Sequence, residues 1–297
     1  MGRRVIAIGE CMLELSPAEP DHFKASFAGD TFNTAWYLQA LAVPDLEIGY
    51  LSAVGDDDPS RRMRAFMRDV GITPHLAERT GGHVGLYMIT LNAGERSFSY
   101  WRDTSAARSL ADDLADLPGL VSGDVAFFSG ITLAILPHEG RQRLLGVLAT
   151  ARSRGIRIVF DPNLRPRLWP DAATMRHWIT EGAKVADIAL PSFEDEASAF
   201  GDPDKAATAQ RYADGGCTIV VVKDGPGAVL IRQASGDVSV HPEPVRNVVD
   251  TTAAGDAFNA GFLAGLLRGH DVATAARAAC ALSARVIGMR GALVDLS

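Results

Sequence analysis

Several residue types are scarce in this chain, and each scarcity excludes a class of protein. There are only three cysteines in 297 residues, and none has Cys-x-x-Cys spacing, which argues against a disulfide framework or a cysteine-based zinc site. No apolar run approaches the roughly 18 residues of a membrane-spanning helix. The net charge is −7, so the basic footprint of a nucleic-acid-binding protein is missing. We expect a cytoplasmic protein that binds neither nucleic acid nor membrane.

Motifs of several enzyme classes are missing too. None of the four lysines follows a glycine, so the chain has no Walker A loop. The Gly-x-Ser-x-Gly elbow and the protein-kinase triplets His-Arg-Asp and Asp-Phe-Gly do not occur. His138-Glu139 begins like a zincin motif, but Gln142 stands where the second histidine is needed. These absences argue against P-loop, protein-kinase, serine-elbow and zincin chemistry.

What the chain does contain is a rhythm of short apolar runs and helical stretches. Hydrophobic residues are 47% and charged residues 22%, an ordinary globular composition. The runs predict strands at 5–9, 46–54, 124–129, 156–160, 188–190 and 218–223. The intervening patterns predict helices at 31–41, 60–70, 138–154, 255–268 and 273–287, the first capped by Asp30 or Thr31. Continuous apolar strands alternating with helices predict an α/β fold, with a mostly parallel sheet covered by helices on both faces.

Two segments depart from this rhythm. Residues 85–91 and 96–101 alternate apolar and polar side chains around 92–95, which predicts a hairpin, and 11–27 is also not helical. We expect one domain over 1–297 with a discontinuous β-sheet lid formed by about 11–28 and 84–103. A sheet with unpaired edges and an apolar face favours a homo-oligomer, here a dimer, assembled through the lid.

The segment 250–258, Asp-Thr-Thr-Ala-Ala-Gly-Asp-Ala-Phe, is the most informative one. Its small residues let the backbone approach a ligand, and the start of the following helix offers free N–H groups and a positive dipole end. Asp256 falls in the first turn, where its carboxylate can accept a proton from a substrate hydroxyl during attack on phosphorus. Taken alone, Asp256 is better explained as a helix-capping residue on an Ala-rich turn.

The complete segment resembles the signature of the ribokinase-like carbohydrate kinases, the phosphofructokinase-B (pfkB) type family. The resemblance implies a ribokinase-like fold, ATP and Mg²⁺ as cofactors, Asp256 as catalytic base, and an anion hole at Ala253, Ala254 and Gly255. It also implies a site for a monovalent cation such as K⁺ beside this loop, with Asp250 and Thr252 as contributors.

Other segments carry the same resemblance. The loop 28–33 matches a Gly-Gly-Asp element, with Ala28 in place of the first glycine, and implies that Gly29, Asp30 and Asn33 bind the sugar. The stretches 191–196 and 220–228 match nucleotide-side elements, although by themselves they are also a helix start and a β-hairpin turn. Ser192 and Asp195 stand where the family motif has Asn and Glu, so Asp195 and Glu196 are the candidates for organising magnesium through water. Over the whole chain, the resemblance implies ATP binding by Asn163, Arg165, Ser192, Lys223, Gly225, Gly227 and Gly255, with Ser283 in the last predicted helix as an adenine-side candidate.

Two arginine-bearing segments indicate which sugar is bound. Alternation places Tyr100 and Arg102 on one side of a lid strand, and Arg165 follows a strand at the ligand-binding end of the sheet. An arginine binds a carboxylate through two parallel hydrogen bonds, so the pocket favours a sugar acid. The same segments resemble the family members that phosphorylate 2-keto-3-deoxygluconate, which implies substrate contacts from Tyr100, Arg102 and Arg165, with Tyr87 as a further candidate.

These observations predict an ATP-dependent kinase for the terminal 6-hydroxyl of 2-keto-3-deoxygluconate. A neutral-sugar kinase of the same family, a fructokinase or ribokinase, is the first alternative. A sugar-binding regulator without catalysis is the second, although such a protein has no need to retain the base in the 250–256 segment.

Overall fold

A computed structural model of the chain describes residues 3–19, 22–92 and 95–296. The strands are β1 (Arg3–Ile8), β2 (Met12–Glu19), β3 (His22–Ala28), β4 (Leu46–Gly55), β5 (Ile72–Arg79), β6 (Leu86–Asn92), β7 (Glu95–Trp101), β8 (Val125–Ser129), β9 (Arg157–Asp161), β10 (Ile188–Ala189), β11 (Ile219–Val222), β12 (Val229–Gln233) and β13 (Gly236–Val240). The helices are α1 (Asp30–Ala40), α2 (Asp58–Asp69), α3 (Gly130–Ile135), α4 (His138–Ser153), α5 (Ala172–Val185), α6 (Phe193–Phe200), α7 (Lys205–Asp214), α8 (Ala254–Leu267) and α9 (Val272–Ile287).

The larger sheet has the strand order β13-β12-β11-β10-β9-β8-β1-β4-β5. Every neighbouring pair from β5 across to β11 is parallel, and only β12 and β13 at one edge are antiparallel. The predicted mostly parallel sheet is confirmed. Because the parallel strands all point one way, the loops that follow them lie together at the carboxyl ends of the strands, where open α/β sheets bind their ligands.

Both faces of this sheet are covered by helices, as predicted. In β8 all five residues are buried, and alternation sends Phe127 to one face and Phe128 to the other. The core around Phe127 includes side chains of α1, α2, α8 and α9. The core around Phe128 includes side chains of α3, α4, α5 and α7. No helix in the described residues is long and apolar enough to span a membrane.

A second, four-stranded sheet has the order β3-β2-β6-β7. Strands β6 and β7 pair antiparallel, which confirms the predicted hairpin, while residues 93 and 94 at its tip lie outside the described residues. Strand β2 joins the hairpin by parallel pairing with β6. Phe23 and Trp101 are about half exposed. Cross-strand pairing and alternation place them on the same face of this sheet, together with Leu13, Pro17 and Leu86.

The start of α1 differs from the sequence prediction. Its N-cap is Gly29, with no side-chain cap hydrogen bond, rather than Asp30 or Thr31. The Asp30 carboxylate is the acceptor of a hydrogen bond from Asn163 Nδ2 at 2.9 Å. The side chain is thus used for a long-range contact instead of capping its own helix. The 220–228 segment is indeed a turn between antiparallel strands, since β11 pairs with β12.

Helices α8 and α9 pack closely through small residues, which makes a matched glycine test available. A Cβ at buried Gly265 would lie 2.7 Å from the Cα and Cβ of Ala275, whereas nothing lies within 4 Å of a Cβ at exposed Gly146 in α4. We expect Gly265→Ala to lower the free energy of unfolding by about 1–3 kcal/mol through overpacking. Gly146→Ala is expected to raise it by about 0.5–1 kcal/mol through helix propensity. Urea unfolding measures both, and equal shifts would contradict the packing argument.

Candidate active site

A cavity of about 500 Å³ lies where the parallel strands of the larger sheet end, and the smaller sheet contributes to its wall. The predicted residues that line the cavity are Gly29, Asp30, Asn33, Tyr87, Tyr100, Arg102, Asn163, Arg165, Ser192, Asp195, Lys223, Thr252, Ala253, Ala254, Gly255 and Asp256. The predicted residues outside its lining are Glu196, Gly225, Gly227, Asp250 and Ser283.

The start of α8 faces this cavity with an open N-terminus. Ala253 is its N-cap in the left-handed conformation (φ 59°) and makes no side-chain cap hydrogen bond. The Ala254 amide donates to the Thr251 carbonyl at 3.2 Å. Within the described residues, the backbone N–H groups of Gly255 and Asp256 have no hydrogen-bond acceptor. Free N–H groups at the positive end of a helix dipole form a site for an anion such as a phosphoryl group.

Asp256 lies in the first turn of α8, beside these amides. Asn33 Nδ2 donates to Asp256 Oδ2 at 2.8 Å, which orients the carboxylate towards the start of α1. Burial, together with the neighbouring charge of Asp30, raises the pKa of Asp256 to about 8. The pKa of Asp30 is also raised, chiefly by burial. A carboxylate with a raised pKa is a stronger base, as proton transfer from a sugar hydroxyl requires.

Lys223 brings a positive charge beneath the same helix start. Its Nζ donates to Asn259 Oδ1 at 3.1 Å and lies 3.3 Å from Asp161 Oδ2, and Asn259 Nδ2 donates to Asp161 Oδ2 at 2.6 Å. A Cβ at Gly255 would lie 3.7 Å from Lys223 Nζ. The lysine therefore adds its charge to the anion site from a fixed, buried position.

Sequence reasoning missed Asp161 and Asn259, although each had a detectable signal. Asp161 ends β9 at the ligand-binding edge of the sheet. Asn259 is three residues after Asp256 in α8, so the two lie on one helix face. Glu10 was missed as well, although it closely follows β1 at the same edge.

The two arginines at the cavity differ in environment. Arg102 is only 7% exposed and forms an ion pair with buried Glu10 through Nη2 and Oε2. Arg165 is half exposed, with its Nη1 3.8 Å from Asp195 Oδ2. Tyr100 and Arg102 line the cavity whereas Trp101, between them, does not, so the predicted alternation is confirmed. Both cations are near enough to the cavity to attract an anionic substrate.

Tyr87 is buried, in contrast to Tyr100 on the neighbouring strand. Its hydroxyl donates to Glu14 Oε2, and burial together with the Glu14 charge raises the pKa of Tyr87. The ring centroids of Tyr87 and Tyr100 lie 5.8 Å apart. The smaller sheet therefore presents an aromatic surface to the cavity, suited to the apolar face of a sugar.

The structure corrects the expectation for Glu196 as a magnesium-organising residue. Its side chain is fully buried, with Oε2 accepting from Arg211 at 2.8 Å and Oε1 accepting from the Tyr212 hydroxyl at 2.8 Å. Burial raises the pKa of Glu196 to about 7. It joins α6 to α7 and lies outside the cavity lining, because successive residues at the start of a helix point to different sides.

Asp195, the next residue back, does line the cavity, and burial raises its pKa. The described residues contain no group of three or more His, Cys, Asp and Glu side chains able to hold a metal ion. Asp195 at the cavity is compatible with Mg²⁺, which is usually held by one or two carboxylates, water and substrate phosphates rather than by a cage of protein ligands.

Two further predicted residues, Ser283 and Asp250, stabilise the backbone around the start of α8 without lining the cavity. Ser283 Oγ, in α9, donates to the Ala254 carbonyl at 2.9 Å. Asp250 Oδ1 accepts from the Thr252 amide at 3.1 Å and from its hydroxyl at 2.7 Å, while Asp250 Oδ2 accepts from the Gly291 amide at 2.7 Å. These contacts fix the conformation of the loop that precedes α8. Ser192 occupies the N-cap position of α6 but makes no side-chain cap hydrogen bond.

Comparison with known proteins agrees with this geometry. The model of the pfkB family of carbohydrate kinases matches residues 3–297. The chain is 37% identical over 301 residues to the 2-dehydro-3-deoxygluconokinase of Haemophilus influenzae, covering 99% of this chain and 96% of that protein. Its fold resembles that of aminoimidazole riboside kinase from Salmonella enterica, solved with aminoimidazole riboside and an ATP analog (TM-score 0.85, 24% identity, covering 98% and 96% of the chains).

A second solved structure is similar over the same extent. It is a double mutant of fructokinase from Vibrio cholerae O395 with fructose, ADP and a potassium ion bound (TM-score 0.84, 23% identity, covering 99% and 95% of the chains). The α/β arrangement of a large, mostly parallel sheet and a small separate sheet is thus the ribokinase-like fold that the sequence predicted.

Proposed function

The chain belongs to the pfkB family of carbohydrate kinases, and from this premise we propose that it is a sugar-acid kinase of the 2-dehydro-3-deoxygluconokinase type. Its reaction transfers the γ-phosphoryl group of ATP to the terminal 6-hydroxyl of 2-keto-3-deoxygluconate, which is another name for 2-dehydro-3-deoxygluconate. Relatives that carry this name are 35–37% identical to the chain over nearly its whole length.

The observation that carries the proposal is the position of Asp256 beside the open start of α8, in a cavity also lined by two arginines. Asp256 takes the proton of the 6-hydroxyl as its oxygen attacks the γ-phosphorus, and the bond from that phosphorus to the β,γ-bridging oxygen of ATP breaks. The free N–H groups of Gly255 and Asp256 and the Lys223 ammonium stabilise the charge on the transferring group. Asn33 keeps the base oriented.

The substrate is held at both ends in this proposal. Gly29, Asp30 and Asn33 bind the sugar hydroxyls, and Arg102 and Arg165 bind the carboxylate with help from Tyr100 and Tyr87. Closure of the smaller sheet over the cavity excludes water, so that the sugar rather than water accepts the phosphoryl group.

ATP is proposed to lie across the carboxyl ends of β9, β10 and β11. Asn163, Arg165, Ser192, Lys223 and Gly255 line the cavity on that side, and we propose Gly225, Gly227 and Ser283 for the part of the nucleotide beyond it. Asp195 is the residue proposed to organise Mg²⁺ through water, and Mg²⁺ neutralises phosphate charge when bound. For K⁺ we propose the loop that Asp250 and Thr252 stabilise.

We propose a single domain over 1–297 whose lid comprises about 11–28 and 84–103, because these segments form the separate smaller sheet. The half-exposed Phe23 and Trp101 on this sheet support a homodimer assembled through the lid. A cytoplasmic location fits the use of ATP and the three free, buried cysteines.

A coupled ADP-release assay tests the function directly. The purified chain is assayed with ATP and Mg²⁺ on 2-keto-3-deoxygluconate, its galactonate epimer, fructose and ribose. We expect the highest kcat/KM with 2-keto-3-deoxygluconate, since neither neutral sugar offers a carboxylate to the arginines. Preference for fructose or ribose would support a neutral-sugar kinase, and no ADP release with any sugar would support a binding protein.

The raised pKa of Asp256 predicts the pH dependence of this activity. A base must be unprotonated to accept the hydroxyl proton, and the pKa of Asp256 is about 8 in the free protein. We expect kcat/KM for the sugar acid to rise about tenfold per pH unit below pH 8 and to level off above it. Initial rates from about pH 6 to 9 measure this, and a flat profile would contradict the assignment.

The same shift has a consequence for stability. Between the ordinary value of 3.8 and about 8, folded Asp256 retains a proton that the unfolded chain releases. Stability associated with this group is therefore complete below the unfolded pKa and is lost as the pH rises through the folded pKa. Urea unfolding should show the wild type losing stability relative to Asp256→Asn across that window.

A further inference from the structure

The ion pair between Glu10 and Arg102 has an unusual geometry for a buried contact. Glu10 is 2% exposed and Arg102 is 7% exposed, and Arg102 Nη2 donates to Glu10 Oε2. Within the described residues, the other carboxylate oxygen, Glu10 Oε1, and the guanidinium Nε of Arg102 are buried without a hydrogen-bond partner. Arginine and carboxylate usually pair through two parallel hydrogen bonds, which would satisfy both atoms. A buried polar group left unsatisfied in this way calls for an explanation in function.

The surroundings of the pair indicate that the contact is built into the fold. A Cβ at Gly85 would lie 2.6 Å from Glu10 Oε1 and 3.3 Å from Arg102 Cβ, so only glycine leaves room for the pair. Residue 85 comes directly before β6 of the smaller sheet, and Arg102 directly follows β7, whereas Glu10 lies after β1 of the larger sheet. The ion pair therefore links the two sheets, and both of its residues line the cavity.

We propose that Glu10 is a positioning residue that holds the Arg102 guanidinium through Nη2 and so leaves donors other than the buried Nε for the substrate carboxylate. This inference rests on the proposed sugar-acid kinase function. A free arginine side chain loses rotamer entropy when it binds a carboxylate, and an arginine already held in place loses less. Glu10 thus sets the affinity for the acid end of the sugar through Arg102, at the junction of the two sheets.

The expected signature is a change in KM for the sugar acid alone. The carboxylate is remote from the reacting 6-hydroxyl, so its contact with Arg102 is equally strong in the ground state and the transition state. We expect Glu10→Ala to raise the KM for 2-keto-3-deoxygluconate by about 10- to 100-fold, the effect of a misplaced charged hydrogen bond. The kcat and the KM for ATP are expected to stay near their wild-type values. Glu10→Gln retains an acceptor oxygen without the charge. Its KM for the sugar acid is expected to lie between those of the wild type and Glu10→Ala.

A double-mutant cycle separates positioning from general structural damage. Because Glu10 acts through Arg102, Glu10→Ala is expected to add little to the KM of an Arg102→Ala variant. The matched control is Asp187→Ala, which removes a partly buried carboxylate bound to Arg152 Nε at 2.8 Å, outside the cavity lining. This control is expected to change stability but not the KM for the sugar acid. If Glu10→Ala fails to fold, Glu10→Gln and Gly85→Ala supply the measurement, the latter by displacing Glu10 Oε1 and raising the same KM.

Each outcome decides one question. An unchanged KM for the sugar acid in Glu10→Ala, or an equal rise in KM in the presence and absence of Arg102, overturns the positioning role while leaving the kinase function intact. If the wild type phosphorylates fructose and not the sugar acid, the proposed function fails, and the inference fails with it.

Discussion

Replacing Asp256 with asparagine is expected to lower kcat by about 10²- to 10⁴-fold, the usual contribution of a general base. The substitution preserves size, and an amide oxygen at position 256 can still accept the hydrogen bond that Asn33 Nδ2 now donates at 2.8 Å. The variant should therefore keep the start of α8 in place and lose only the ability to take a proton. We expect its KM for the sugar to remain within about threefold of wild type, since binding and proton transfer are separate contributions.

A matched aspartate elsewhere controls for the loss of charge at a helix start. Asp58 lies in the first turn of α2, exposed and paired with Arg61, and does not line the cavity. Asp58→Asn removes the same charge from the first turn of another helix and is expected to leave kcat unchanged. Steady-state assays of both variants, with sugar binding measured by calorimetry, complete the comparison. If Asp256→Asn kept kcat within about tenfold of wild type, the base would have to be another group.

The central strands could be predicted from sequence because each is a short, continuous apolar run. Strand β8 is buried at all five positions, so its apolar run identifies it as a strand without information about the strands beside it. The start of α8 was also predictable, since small residues and Asp256 follow one another in the chain. The sequence also predicted that 11–28 and 84–103 share one small sheet, but it did not specify which strands pair within that sheet. The parallel pairing of β2 with β6 joins Leu13 to Leu86, and no local signal specifies that partner.

The candidate site shows the same division. The positions of Asp256, Arg102 and Arg165 at one cavity follow from motifs and from alternation along a strand. The partners that fix these side chains come from far along the chain, as Glu10 does for Arg102. At Asp30, local preference competes with tertiary contacts. Local preference favours a helix cap, but the Asp30 carboxylate accepts a hydrogen bond from Asn163 instead. At this position the tertiary contact outweighs the local preference for a helix cap.

Replacing Arg102 with alanine is expected to lower kcat/KM for 2-keto-3-deoxygluconate by about 10²- to 10³-fold. Loss of a charge-assisted, two-point contact accounts for about 3–4 kcal/mol at roughly 1.4 kcal/mol per factor of ten. The kcat/KM for fructose is expected to change far less, because a neutral sugar offers no carboxylate to a guanidinium. The measurement is the ratio of the two kcat/KM values in the wild type and in the variant. This ratio is independent of how much active enzyme a preparation contains.

The substitution also leaves the Glu10 carboxylate buried without its partner, which destabilises a fold by about 3–5 kcal/mol. Arg102→Lys is the necessary companion because it retains the positive charge and loses only the planar fork, so a large loss of sugar-acid kcat/KM is expected here too. Arg152→Ala is the matched control, since Arg152 is partly buried and bound to Asp187 away from the cavity. If Arg102→Ala weakened turnover of fructose and the sugar acid equally, Arg102 would support the fold of the lid and not recognise the acid. A selective loss for the acid, with Arg152→Ala unaffected, makes Arg102 the residue that distinguishes a sugar acid from a neutral sugar.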